Sequence, residues 1–101
     1  MKTELSDRIR IILEEQHLKQ MELAEALGVS ANYISLLASG KKTRVSLTLA
    51  KLLESLYGYS TEWIMTGEGV KNKAEYMRRQ ALERIMKMDT EDLMKIKEFI
   101  E

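Results

Sequence analysis

The 101-residue sequence contains no cysteine and no proline, and it has a single histidine. Without cysteine, neither a disulfide framework nor a thiolate zinc site is possible. Because His17 is the only histidine, a cluster of histidine metal ligands is excluded and a Ser-His-Asp triad has one possible centre. No run of apolar residues approaches the ~18 of a membrane-spanning helix, and residues 1–4 lack the pattern of a signal peptide. We expect a cytoplasmic protein with no cofactor, no metal, no membrane contact and no enzymatic activity.

The sequence also lacks an excess of positive charge. The 16 Lys and Arg residues balance the 16 Asp and Glu residues, and division of the chain at Gly69 leaves neither part strongly basic. A protein that binds nucleic acid through its overall field is usually basic. Any affinity for phosphate groups must therefore come from cations that are clustered locally.

Glycines are the main helix-ending residues of the chain. They divide residues 1–69 into short segments with helical apolar spacing, and no segment shows the alternation of a strand. The sequence therefore predicts an all-α fold, with one domain over residues 1–69. The first helix is expected to begin near Thr3 or Ser6, with Arg8 among the polar residues of its outer face. The first helix is expected to end near Glu15, and the next three cover about 20–27, 31–39 and 46–57. Ser60 or Thr61 caps a short fifth helix that ends at Gly67.

Residues 70–101 differ in character and form a C-terminal helical extension. One helix is expected over 71–88, and a last helix begins after Asp89 or Thr90. Their apolar rows are too rich for a free tail, so we expect them to form the contact of a homodimer. The alternative is that they fold back onto their own domain. The residues expected in the dimer contact are Met77, Ala81, Ile85, Met88, Leu93, Ile96 and Ile100.

The most informative stretch runs from Lys19 to Gly40. Two helices that cross steeply through a tight turn need particular residues at fixed spacing. Ala24 allows close approach of the helices, Gly28 permits a positive φ in the turn, and Ile34 returns to the core. On spacing alone, any helical bundle with a glycine turn fits equally well.

Residues 6–69 resemble the phage-repressor and Cro-like helix-turn-helix family, also called the xenobiotic-response-element-type family. The resemblance lies in residues 18–30, in Ile34-Ser35, in residues 39–42 and in residues 62–69. It implies a five-helix, lambda-repressor-like domain whose third helix lies in the major groove of double-stranded DNA. It also implies a sequence-specific transcriptional regulator, and it favours a repressor that binds a pseudo-palindromic operator as a dimer.

The resemblance further implies two sets of DNA-contacting residues. Asn32 is the strongest base-reading candidate, because a carboxamide can pair bidentately with adenine. Gln20 is expected to bind a phosphate and to brace the start of the third helix, while Tyr33 fits surface packing as well as phosphate contact. The base-reading set is Ala31, Asn32, Ser35 and Leu36. The phosphate-binding set is Lys19, Gln20, Tyr33, Ser39, Lys41, Lys42 and Arg44.

The sequence departs from the family pattern in places. Many members have Glu at the position of Ala38 and Pro within the stretch that is Thr43-Arg44-Val45 here, and Leu36 is less polar than usual. Together with the neutral charge, these departures leave a second function open. In it the chain is a protein-interaction module, an antirepressor or antitoxin-like partner, and a protein antagonist binds the third helix and the methionine-rich tail.

Overall fold

The computed structural model describes residues 3–87 of the chain. Over this range the secondary structure is helical, as the sequence predicts. The six helices are α1 (Leu5–Glu15), α2 (Gln20–Leu27), α3 (Ala31–Ser39), α4 (Leu47–Tyr57), α5 (Thr61–Thr66) and α6 (Lys73–Met86). None of these six helices is long and apolar enough to cross a membrane. The expected last helix lies outside the described residues, with Met88, Leu93, Ile96 and Ile100.

Short-range hydrogen bonds explain where the helices begin. The hydroxyls of Ser30, Ser46 and Ser60 each accept the backbone N–H three residues along, at 3.1 Å. Each satisfies one of the donors that a helix N-terminus leaves unpaired. Ser46 is thus the N-cap of α4 and not its first residue. The first helix begins between the two expected starts, because Asp7 accepts the backbone N–H of Glu4, the residue before α1.

Helices α1 to α5 enclose one hydrophobic core. α2 and α1 both pack against α3, and α4 packs against α5. Complete burial of a large apolar side chain stabilises a fold by about 1.5–3 kcal/mol, so this core is what holds α3 in place. The largest fully buried side chains are Tyr59, Ile9, Ile12, Leu23, Ile34, Leu37, Leu53 and Ile64.

Arg8 is buried, and its expected place on the outer face of α1 is wrong. Its side chain is only 5% exposed. Arg8 lies three residues after Leu5 and four before Ile12, so helical geometry places it on the same face as the core. Its Nε donates to the backbone oxygen of Ile64 at 3.0 Å, and its Nη1 donates to that of Thr3. The guanidinium therefore joins α1 to the last turn of α5.

Helix α6 is tied to the domain at its start. The backbone N–H of Ser60 donates to the oxygen of Lys71 at 2.9 Å, and that of Lys73 donates to Gly58 at 2.9 Å. The Asn72 side chain accepts the backbone N–H of Glu75 at 3.0 Å. Asn72 is held in extended backbone as the N-cap, so α6 begins at Lys73, two residues later than expected.

No residue of α6 is buried. The described part of the extension therefore does not fold back onto the core of its own domain. Its apolar side chains remain exposed instead, with Met77 at 69% and Ile85 at 58%.

Candidate nucleic-acid interface

The turn between α2 and α3 is built by two backbone hydrogen bonds. The N–H of Gly28 donates to Glu25 at 3.2 Å, and that of Val29 donates to Ala24 at 3.0 Å. This pair of bonds is a Schellman motif, which requires a left-handed residue, and Gly28 has φ 72°. A Cβ added at Gly28 would meet nothing within 4 Å. The positive φ is therefore the reason for glycine at this position.

Helix α3 has one buried face and one exposed face. Ile34 and Leu37 are fully buried, and Ala38 is 6% exposed. None of the four predicted base-reading residues is buried. Ala31, Asn32 and Ser35 are exposed and Leu36 is half-buried. The structure thus brings this set together on one accessible surface, which we call the reading face (Ala31, Asn32, Ser35 and Leu36).

The predicted phosphate-binding residues lie at two places beside α3. Lys19 and Gln20 stand at the start of α2 and are exposed; the others, apart from Tyr33, are exposed at the end of α3 and in the following loop. Among residues 3–87, the Gln20 side chain forms no hydrogen bond with the start of α3, so the expected bracing is not seen. The N–H of Lys19 is held by the Glu22 carboxylate at 2.9 Å. The start of α2 is therefore ordered by Glu22.

The loop after α3 is held by its own hydrogen bonds. Leu36 O accepts the backbone N–H of Lys42 at 3.0 Å and the hydroxyl of Ser39 at 3.2 Å. The Ser39 hydroxyl also accepts the N–H of Lys41 at 3.4 Å. Val45 is buried and anchors the far end of the loop in the core. The positively charged side chains of this loop are thus carried on ordered backbone close to the reading face.

The side chains of this loop provide local positive charge in a neutral chain. Within the part of the chain that the structure describes, Lys41, Lys42 and Arg44 form no ion pair, whereas Lys71 and Lys73 each pair with a glutamate. Unpaired cations retain their full charge for a phosphate backbone. We call these three residues (Lys41, Lys42 and Arg44) the loop cations.

Tyr33 packs against the domain and also contacts Lys42. It is half-buried and packs against the core. The Lys42 ammonium lies 5.3 Å from the centroid of its ring, which is cation–π geometry. The aromatic side chain therefore supports a loop cation as well as the surface of the domain.

Thr43 is not among the predicted phosphate-binding residues, although it lies within the same loop. It is exposed between Lys42 and Arg44, so its hydroxyl belongs to the same surface. A hydroxyl within a short cationic loop is the signal that could have identified it, since the Thr hydroxyl commonly donates a hydrogen bond to phosphate oxygens.

Among residues 3–87, no group of three or more His, Asp and Glu side chains is arranged to hold a metal ion.

Residues 9–64, which include α2, the turn and α3, match the helix-turn-helix family. The chain is a helix-turn-helix protein of the Cro/C1 type. This family consists of DNA-binding regulators and is not a family of enzymes. Ala24, Gly28 and Ile34 thus lie within the matched helix-turn-helix region, and the general helical bundle that their spacing also allowed is no longer needed.

Two curated proteins resemble this helix-turn-helix chain. The Repressor protein CI of Enterobacteria phage phi80 is 35% identical over 69 residues, which are 68% of this chain and 28% of that protein. The HTH-type transcriptional regulator PrtR of Pseudomonas aeruginosa is 44% identical over 64 residues, which are 61% of this chain and 23% of that protein. The chain spans about a quarter of the length of these relatives.

A solved structure also shares the fold. It is that of a transcriptional regulator from Listeria innocua, which superposes with a TM-score of 0.58 at 18% sequence identity. The match covers 99% of this chain and 92% of the other. The likeness therefore concerns the arrangement of the helices.

Proposed function

We propose that the chain is a cytoplasmic, sequence-specific transcriptional regulator that represses by occupying a pseudo-palindromic operator as a dimer. One observation carries this proposal: the exposed reading face of α3 lies beside three unpaired loop cations on a Cro/C1-type frame. The names of the two relatives, a repressor and a transcriptional regulator, point in the same direction.

In this proposal the reading face contacts base edges in the major groove. Asn32 lies in the first turn of α3, which is the part of a recognition helix that enters the groove. Its carboxamide would pair with adenine N6 and N7, while Ala31 and Leu36 would contact thymine methyl groups. Ser35 would donate to or accept from a neighbouring base.

The phosphate contacts would fix the register of α3 on the duplex. The loop cations would bind the backbone on one side of the groove, and Tyr33 and Ser39 lie next to them. Lys19 and Gln20 would bind it at the start of α2. Phosphate contacts carry no sequence information of their own, but they supply most of the affinity. In a chain with no net charge, this local group is essential.

Two copies are needed for tight binding. One helix-turn-helix unit touches about half of an operator, and two units read half-sites whose centres are about 34–36 Å apart. The exposed apolar side chains of α6 are the surface that would join the two copies. The proposal therefore assigns residues 1–69 to DNA binding and residues 70–101 to dimerisation.

Selection of bound sequences from a random duplex pool tests this function directly. We expect enrichment of a pseudo-palindrome whose half-site centres are about 10 base pairs apart. The matched control is a chain with Lys41, Lys42 and Arg44 all changed to Gln, because it keeps the reading face and loses the phosphate contacts. Failure of the wild-type chain to enrich any palindrome would count against the proposal.

A protein-interaction module is the second candidate. Leu36 favours it, because an apolar, half-buried side chain on the reading face suits a protein surface as well as a thymine methyl group. In this case a protein antagonist would bind α3. Change of Leu36 to Gln separates the two functions, since it should alter base preference in a DNA reader and weaken capture of the antagonist in an interaction module.

A further inference from the structure

Helix α6 is a 14-residue helix with no buried residue. Met77, Ala81 and Ile85 recur every four residues along one side of it and form an apolar row. Met77 and Ile85 are more than half exposed. Nothing within residues 3–87 buries this row, so it needs an occupant from elsewhere.

The charges beside the row limit what that occupant can be. Arg78 precedes Ala81 by three residues and Arg84 follows it by three, so they lie about 60° to either side of Ala81 on the helix. Neither arginine forms an ion pair with another described residue. The row is therefore bordered by unpaired positive charge on both sides.

A second copy of the same face is a poor match for this surface. The charged residues of segment 71–87 are Lys71, Lys73, Arg78, Arg79, Arg84 and Lys87 against Glu75 and Glu83. Glu83 lies two residues after Ala81, and hence on the far side of the helix from the row. Two α6 helices in face-to-face contact would offer their bordering arginines no carboxylate, and like charges across a contact disfavour it.

The C-terminal segment has the complementary composition. Its acids outnumber its cations: Asp89, Glu91, Asp92, Glu98 and Glu101 against Lys95 and Lys97. In the helix that the sequence predicts there, Leu93, Ile96 and Ile100 form an apolar row. Asp92 precedes Ile96 by four residues and so lies next to this row, and Asp89 stands at the N-terminal end of the predicted helix.

We propose that α6 of one copy binds residues 89–101 of a second copy, and that the second α6 binds the first C-terminal segment in return. Arg78 and Arg84 then face Asp89 and Asp92 across two apolar rows. This inference rests on the proposed dimer and specifies its contact. Exchange between copies is favoured over a contact within one chain, because helices of this length are marginal in water without packing neighbours and a two-helix contact gives each segment only one. A four-segment arrangement gives each segment more than one neighbour.

Charge reversal in the full-length chain tests the exchange. The α6 variant carries Arg78→Glu and Arg84→Glu, and the tail variant carries Asp89→Lys and Asp92→Lys. Each variant alone should sediment as a monomer at a concentration where the wild-type chain is a dimer. An equimolar mixture of the two should recover the dimer mass, because both contacts in the mixed pair join opposite charges.

Two controls accompany the mixture. Arg79→Glu makes the same kind of charge change on the far side of α6 and should leave the dimer intact. The α6 variant mixed with wild-type chain should gain little dimer, because one of its two contacts sets the two introduced carboxylates against the acids of the tail. The thermal melting of the core, followed by circular dichroism, should be alike in every variant, since α6 lies outside the core.

Three results would overturn the inference. The α6 variant alone remains a dimer; or it pairs with wild-type chain as readily as with the tail variant, whose α6 is also unchanged, as direct α6–α6 contact requires; or the mixture stays monomeric, as a contact within one chain requires. A wild-type chain that is monomeric while bound to its operator would instead refute the proposed dimer as a whole. A wild-type dimer that fails the mixing test overturns the exchange and leaves the proposed DNA-binding function intact.

Discussion

The ammonium group of Lys42 lies 5.3 Å from the ring centroid of Tyr33, nine positions earlier in the chain. Tyr33 belongs to α3 and packs against the core, whereas Lys42 belongs to the loop that follows. The contact therefore connects the helix proposed to read bases with the cations proposed to bind phosphates. Replacement of the Tyr33 ring would therefore remove a contact that positions the Lys42 ammonium, and replacement of Lys42 would uncover one face of the ring.

Loss of the lysine pair should weaken binding to every duplex alike. With Lys41 and Lys42 both changed to Gln, the slope of log K against log salt should fall by about 1 for each lysine that binds a phosphate. Fluorescence anisotropy over a range of salt concentrations measures this slope. Lys51→Gln, at an exposed position of α4, is the control and should leave the slope unchanged. An unaltered slope in the double variant would remove these lysines from the interface.

Asn32→Ala should relax the preference at one base pair of each half-site. The expected cost on the preferred operator is about 1–3 kcal/mol, with a much smaller cost on an operator that is changed at that base. Because Asn32 is exposed, the stability of the fold should be unaffected. Competition binding with single-base operator variants measures the effect. An equal loss on every operator would mean that Asn32 binds the backbone and not a base.

Arg8→Ala should destabilise the domain through lost hydrogen bonds. The change removes a buried guanidinium that donates to Ile64 O, and an unsatisfied buried carbonyl costs about 1–3 kcal/mol. Arg10→Ala on the same helix removes only an exposed ion pair with Asp7, which is worth at most about 1 kcal/mol. Urea unfolding of the two variants should therefore separate them clearly. Equal free energies of unfolding would mean that the bonds of Arg8 contribute nothing.

Glu54 should make the fold sensitive to acid. The hydroxyl and backbone N–H of Thr61 and the ammonium of Lys73 lower the pKa of Glu54 from 4.5 to about 2. Because the folded-state pKa is depressed, this stabilisation is present above pH 4.5 and is lost as the pH falls toward 2. Glu54→Gln should flatten the dependence of the free energy of unfolding on pH in this window. Glu25→Gln, at an exposed position of α2, is the control and should keep the wild-type pH dependence. An unchanged pH dependence in Glu54→Gln would mean that Glu54 does not cause the acid sensitivity.

The sequence by itself determined the helices and the motif. Glycine at position 28 and serine at position 30 end α2 and begin α3 through bonds that span only a few residues. Local signals of this kind can be seen directly in a sequence, since both partners of each bond stand close to one another along the chain. The four residues of the reading face were instead expected from the family resemblance, and helical periodicity only separates them from the buried Ile34 and Leu37.

Only the tertiary structure decided which charged side chains are paired with another residue and which are unpaired. Arg8 donates to the carbonyl of Ile64, and Lys71 pairs with Glu15, each across 56 positions of the chain. Lys42 meets Tyr33 because the loop turns back onto α3. Periodicity cannot supply such contacts, since they depend on how the helices pack. The sequence therefore shows where the loop cations stand along the chain, and packing leaves them unpaired beside the reading face.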